Sequence, residues 1–115
     1  MFRLDAELKV FVHREAIDFR KSINGLSVLV EQSMKLDPFA RAVYAFTNRR
    51  RDRVKLLLYE RTGFWLLMKR LEADRFAWPR TGESVELSVE QLHWLLEGID
   101  LSAMRKHPER RYARA

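Results

Sequence analysis

Two rhythms of apolar and polar positions divide this chain, and the places where one gives way to the other mark its elements. Leu8-Lys9-Val10-Phe11-Val12 alternates weakly and is rich in β-forming side chains, which predicts a short first strand. From Asp18 to about Met34 the apolar positions Phe19, Ile23, Leu26, Val30 and Met34 recur at intervals of three and four, with Leu29 widening the stripe. That spacing predicts one long amphipathic helix with Asp18 as its amino-terminal cap. Gly25 inside it weakens the helix by about 1 kcal/mol, so either a close neighbour or a functional contact favours the missing side chain. Asp37-Pro38 then closes the segment, because proline restricts the residue before it.

Beyond the proline the rhythm shortens to two. Ala42–Thr47, Arg53–Tyr59 and Phe64–Arg70 are three strand candidates joined by short polar turns, and Phe76–Trp78 is a possible fourth piece. The turn Glu60-Arg61-Thr62-Gly63 sets Tyr59 opposite Phe64 and Arg53 opposite Arg70. One face then holds Val54, Leu56, Leu58, Trp65 and Leu67, which are expected to form the core against the long helix. The other face carries Arg53, Lys55, Leu57, Tyr59, Phe64, Leu66, Met68 and Arg70 and is apolar in its middle, so another layer or a partner is needed to cover it. Ser88 with Gln91 has the form of a capping box, and Val89, Leu92, Leu95, Leu96 and Ile99 carry helical spacing to a stop at Gly98.

The expected architecture is therefore α+β: a mainly antiparallel sheet arranged as a meander, one long helix packed on it, a short second helix and a basic carboxy-terminal tail. Residues 1–100 make a single domain in this reading and 101–115 a flexible tail, a division consistent with a chain of 115 residues. No internal repeat or low-complexity tract breaks it.

Composition narrows the chemistry. The net charge of +6 and pI near 10.1 favour an anionic partner. The charge is concentrated: residues 49–55 carry five basic side chains and one acidic, +4, and residues 101–115 carry the same balance, so the remainder of the chain is net negative. The absence of cysteine excludes disulfides, thiolate metal sites and cysteine nucleophiles and fits a cytoplasmic location. The sequence shows neither a signal-peptide pattern nor an apolar run of membrane-spanning length, so no membrane association is expected.

Arg49, Arg50, Arg51, Arg53 and Lys55 form the strongest candidate site. A turn that projects several guanidinium groups can neutralise nucleic-acid phosphates, whereas a solvated loop that blunts a sheet edge is the plainer alternative. In the tail, Arg105, Lys106, Arg110, Arg111 and Arg114 either wrap nucleic acid or merely solvate a terminus. Tyr59, Phe64 and Trp65 are candidates for base stacking, with packing near a tight hairpin as the alternative. His13, His93 and His107 lack metal-ligand spacing; Glu72 and Asp74 are a carboxylate pair of the kind that binds divalent metals, but between Arg70 and Arg75 they are expected to form surface ion pairs instead. No phosphate-cradling glycine loop and no serine–histidine–acid set is evident, so neither catalytic residues nor a cofactor is expected.

Several blocks in fixed order give the sequence a resemblance: Asp18-Phe19-Arg20-Lys21-Ser22-Ile23-Asn24-Gly25-Leu26, Asp37-Pro38-Phe39 and Phe46-Thr47-Asn48-Arg49-Arg50-Arg51-Asp52-Arg53-Val54-Lys55. Gly63-Phe64-Trp65, Lys69-Arg70-Leu71-Glu72, Arg75-Phe76, Trp78-Pro79 and Leu95-Leu96-Glu97-Gly98-Ile99-Asp100 continue it. From about residue 8 to residue 100 the chain resembles the TnpB accessory proteins, products of the second reading frame of the insertion sequence 66 transposon family. These are distinct from the much larger RNA-guided nucleases that share the name. The resemblance implies a bacterial protein encoded beside a separate transposase and needed for efficient movement of the element, without a catalytic activity of its own. The family's recurring polar positions fall on Asp18, Arg20, Lys21, Arg50, Asp52, Lys55, Lys69 and Arg70. Tyr59-Glu60-Arg61-Thr62-Gly63 departs from the tryptophan-aspartate-glycine sequence that is frequent at the second hairpin.

Together these readings lead to DNA at the transposon ends as the expected partner, contacted by the arginine turn with Arg20, Lys21, Lys69 and Arg70 beside it. The alternative is an adaptor for the transposase or another protein of the element, using the apolar middle of the second sheet face and making no DNA contact. An RNA-binding module and a nuclease are remoter readings: the tight hairpin replaces the helix that the common RNA-recognition fold requires.

Overall fold

The structure is a computed structural model that describes residues 4–79 and 86–102. The elements run β1 (Lys9–Val12), α1 (Ile23–Gln32), β2 (Ala42–Thr47), β3 (Arg53–Glu60), β4 (Gly63–Arg70), β5 (Glu86–Leu87) and α2 (Val89–Leu96). The five strands form one sheet in the order β4-β3-β2-β1-β5. The β2–β3–β4 part is the expected antiparallel meander, and its second hairpin has the register that the turn predicts, with Tyr59 opposite Phe64 and Arg53 opposite Arg70.

The sheet as a whole corrects the meander. β1 lies parallel to β2, with Lys9 beside Ala42 and Val12 beside Ala45, and β5 pairs antiparallel with the other edge of β1. Among the described residues the fold is α+β on a mixed sheet, with α1 and α2 both short. Parallel neighbours need a crossover connection, and α1 supplies it. β5 is two residues long, and Phe76–Trp78 forms no strand; its Phe76 and Trp78 rings are instead buried in the core.

The expected long helix shrinks to ten residues. Asp18 does not cap it, because its carboxylate already accepts the backbone N–H and guanidinium of Arg20, and the chain turns helical only after Ser22. At the other end Lys35 adopts a left-handed φ of 60° and stops the helix before the proline is reached. Gly25 is explained by packing: a Cβ there would stand 3.2 Å from the Lys21 Cβ, so the lysine stem lies across the helix where a side chain is missing.

The two sheet faces also exchange partners relative to expectation. Val54, Leu56 and Leu58 pack with Val10, Val12, Val43, Phe76, Trp78 and the α2 residues Leu92 and Leu95. Helix α1 covers the opposite face, where Leu26 and Val30 join Tyr44, Phe46 and Leu57, with Phe64 and Leu66 at the margin. The apolar middle, which required another layer or a partner, is thus covered by a layer of the chain's own, helix α1. Trp65, expected in the core, is 42% exposed at the sheet edge. Both faces of β3 are buried because the run Leu56-Leu57-Leu58 supplies apolar groups to each.

Helix α2 follows its sequence signals. The Ser88 hydroxyl accepts the Gln91 N–H at 3.1 Å while the Gln91 side chain accepts the Ser88 N–H at 2.9 Å, and Gly98 beyond the helix takes φ 87°, a conformation open to glycine. Leu101 is buried in the α2-side core, so the packed chain continues past residue 100. The basic tail lies outside the described residues from 103 onward.

Candidate nucleic-acid interface

The parallel pairing of β1 with β2 decides where the basic residues gather. Both strands run the same way, so the segment leaving β1 and the arginine turn leaving β2 emerge at one end of the sheet. The Ile17 N–H donates to the Thr47 carbonyl at 2.9 Å and holds them side by side. β3 begins and β4 finishes at that end, so Arg20, Lys21, Arg49, Arg50, Arg51, Arg53 and Arg70 share it. An antiparallel first strand would have sent Arg20 and Lys21 to the far end.

The turn is a built structure rather than a loose loop. The Asn48 side-chain oxygen accepts the backbone N–H groups of Asp52 and Arg53, each at 3.1 Å, and its amide donates to the Asp52 carboxylate at 2.6 Å. Asparagine suits this position because its short amide mimics a backbone turn. The Thr47 hydroxyl donates to the Arg53 carbonyl at 2.9 Å. Arg51 takes a left-handed φ of 61°, and its carbonyl receives the Phe76 N–H at 2.7 Å, while the Asp52 carbonyl receives the Leu71 N–H at 2.8 Å. The segment after β4 is thereby laced to the turn. Arg75, exposed and next to Phe76, is brought beside the arginines, a placement that its sequence position among Asp74 and Phe76 does not reveal.

Electrostatics follow from these bonds. The Asp52 carboxyl is held below its usual range, first by the Asn48 amide, then by a backbone N–H and the charges of Arg53 and Arg50. It stays ionised and anchors the turn without forming an ion pair with the arginines. Arg49 and Arg50 are exposed, and among the described residues no carboxylate forms a salt bridge with either of them or with Arg51.

The remaining expected site residues divide by what their side chains hold. The Lys55 ammonium donates to the carbonyls of Phe19 and Lys21, both at 2.7 Å, and lies 4.7 Å from the centre of the Phe19 ring. Partial burial pulls its pKa down while Asp18 acts the other way. Lys55 thus fastens the segment that bears Arg20 and Lys21. Lys69 lies on the α2 face of the sheet, apart from the cluster, and donates to the Leu96 carbonyl at 2.8 Å, binding the carboxy-terminal end of α2. Arg70 meets Glu72 through Nε at 3.1 Å. Arg20 grips Asp18 through Nε and a terminal nitrogen, at 2.9 and 2.5 Å to one carboxylate oxygen, although its side chain is 91% exposed.

This pair yields a measurable expectation. Hydrogen bonds from the Arg20 side chain and then its backbone lower the Asp18 pKa to about 2 from an ordinary 3.8. A carboxylate depressed in the folded state contributes stability that is complete above its unfolded pKa and is lost as pH falls through the folded one. The contribution of Asp18 should therefore fade between about pH 4 and pH 2, and a carboxyl-carbon NMR titration should find its midpoint near the lower value. A midpoint near 4 would mean that the Arg20 grip is absent in solution.

At the far end of the sheet, Phe39, Tyr59 and Phe64 form an aromatic cluster with centroids 5.0–5.4 Å apart. The first two expected stacking candidates there are thus occupied with packing, and Trp65 donates to Glu60 at 2.8 Å. His13 bonds the Glu15 carbonyl and the Ser33 hydroxyl. Among the described residues no group of three or more histidine, aspartate or glutamate side chains is arranged to hold a metal, and no helix is long and apolar enough to cross a membrane.

A small α+β sheet protein with one arginine-lined end is the class that fold and site define. The comparisons with known proteins make the class particular. Residues 8–106 match the model of the family described as IS66 Orf2 like protein, so the chain belongs to that family and is an accessory protein of an insertion sequence, associated with transposition. It is similar to two uncharacterized proteins of Sinorhizobium fredii, strain NBRC 101917 / NGR234. One, y4jC, is 29% identical over 105 residues, covering 90% of each chain. The other, y4hO, is 30% identical over 103 residues, covering 89% of this chain and 86% of the relative. No solved structure matches.

Proposed function

We propose that this protein is a non-catalytic accessory of transposition that holds DNA by its arginine-lined end. The observation that carries the reading is the turn itself: Arg49 and Arg50 stand exposed and without a carboxylate partner among the described residues, on a backbone fixed by Asn48 and by the bonds to Leu71 and Phe76. Cations carried on a fixed backbone avoid the cost of ordering the loop on meeting phosphate, and each contact releases counterions. Arg51, Arg53, Arg70, Arg75 and Lys21 widen the surface, and Arg20 joins it by exchanging Asp18 for a phosphate. Lys55 and Lys69 serve by position, since their ammonium groups already hold backbone carbonyls. The adaptor reading has less support, because α1 occupies much of the apolar middle of the second sheet face. Transposon ends and the element's transposase are the partners that this role supplies, and the cytoplasm is the place where it would be performed.

The test is binding to element-end duplex over a salt series, for the wild type and for a variant with Arg49, Arg50, Arg51 and Arg53 changed to glutamine. If the four arginines each neutralise one phosphate, the slope of log affinity against log salt should become shallower by about 3 to 4. An unchanged affinity and slope would sink the reading. Co-purification with the transposase by a wild-type protein that binds no DNA would favour the adaptor instead.

A further inference from the structure

On the α1 face of the sheet, at the arginine-lined end, Arg53 of β3 and Arg70 of β4 are direct cross-strand partners. Like charges placed opposite each other on one face destabilise a sheet unless something lies between them. The Arg53 Nε is buried and has no hydrogen-bond partner among the described residues, although a buried donor on a charged group is costly to leave unpaired.

Among the described residues, the nearby carboxylates do not supply the missing acceptor. Asp18 is held by Arg20, Asp52 by the Asn48 amide, and Glu72 by the Nε of Arg70. That last bond fixes the Arg70 guanidinium by one edge and leaves its terminal nitrogens for another ligand. One row further along the same face, Lys55 lies opposite Met68 with its ammonium turned to the carbonyls of Phe19 and Lys21, which adds positive potential without blocking the pair.

We infer that Arg53 and Arg70 form a seat for a single phosphate, whose tetrahedral oxyanion is received in the fork of each guanidinium. Planar guanidinium groups match phosphate oxygens two at a time, a geometry that lysine cannot reproduce. The seat is distinct in kind from Arg49 and Arg50: those two attract any polyanion from solution, whereas the pair on the sheet fixes where one phosphate sits. The inference rests on the reading of this end as a phosphate-binding surface. The phosphate can belong to a DNA backbone or be free in solution.

Arginine Nε–H resonances test it directly. The full-length protein, labelled with nitrogen-15, is titrated with inorganic phosphate at constant ionic strength, with chloride as control. The Arg53 and Arg70 Nε–H signals should shift saturably with phosphate and stay still with chloride. Arg70→Gln, an exposed substitution, should weaken binding by tenfold or more, while Arg61→Gln, in the turn at the opposite end of the sheet, should bind phosphate as the wild type does. Arg53→Lys guards against a folding defect, since it retains the charge and should still lose the saturable shift. No saturable shift, or an equal one with chloride, overturns the seat.

A short duplex then separates the sources. Shifts of the same two signals, reversed by competing inorganic phosphate, assign a DNA phosphate to the seat. Saturation by inorganic phosphate with no duplex binding at any signal retains the seat and overturns the DNA reading. Duplex binding that depends on Arg49 and Arg50 and leaves Arg53 and Arg70 unmoved by duplex and inorganic phosphate alike retains the DNA reading and overturns the seat.

Discussion

Phe46→Ala should destabilise the fold by about 3–5 kcal/mol, a large share of the roughly 5–15 kcal/mol that holds a domain of this size together. Phe46 is fully buried under α1, packs near the His13 ring and lies opposite Lys55 in register. Its removal leaves a cavity between the sheet and the crossover helix, in contact with the segment that Lys55 fastens. Urea unfolding should show a midpoint shifted strongly downward at nearly constant slope. Phe39→Ala is the contrasting case: with Phe39 60% exposed, the loss should be well under half as large. Equal losses at the two positions would mean that α1 does not cover this face.

The second large effect concerns the end of the packed chain. Leu101 is 5% exposed and belongs to the cluster that includes Leu92, Leu95 and Trp78. Leu101→Ala should destabilise the protein by about 2–4 kcal/mol, since burial of a leucine adds both a transfer and a cavity contribution. Ile99→Ala, two residues earlier and 36% exposed, should cost clearly less. Thermal or urea unfolding of the two variants decides it, and indifference to Leu101→Ala would mean that its burial adds nothing to the fold.

Local signals in the sequence led to the right local structures. The hairpin register followed from Glu60-Arg61-Thr62-Gly63, the α2 start from Ser88 and Gln91, and the buried stripe of α1 from the spacing of Leu26 and Val30. What failed was non-local. Nothing in Leu8–Val12 specifies that its neighbour is Ala42–Thr47 or that the two run parallel, and a two-residue β5 has too few positions to show a period. The faces exchanged because Leu56-Leu57-Leu58 is apolar on both sides, so alternation could not assign each helix its face. Asp18 misled for a different reason: a carboxylate before an apolar stripe has the look of a cap, but Arg20 competes for it.

The same division applies to the basic end. Charge density marked Arg49, Arg50, Arg51 and Arg53, and the hairpin register put Arg70 opposite Arg53. The positions of Lys21 and Arg75 at that end depend on a parallel strand pair and on the Phe76–Arg51 bond, both of which are tertiary. Lys55 and Lys69 were indistinguishable from phosphate-binding lysines in sequence, because the carbonyls that they hold belong to segments remote in the chain.

The placement of β1 between β2 and β5 also sets an order of assembly. β2, β3 and β4 pair with their immediate neighbours in sequence, so their closure is local and quick, whereas Val10 must find Val43 across the α1 crossover and Leu87 near the other end of the described chain. On a ribosome, the first strand emerges before both of its partners and waits for the second until Leu87 has been made. The arginine turn and Arg70 belong to the part that closes early, while Arg20 and Lys21 arrive with the strand that waits. The full basic surface therefore exists only once β1 has docked, and its assembly is linked to completion of the sheet.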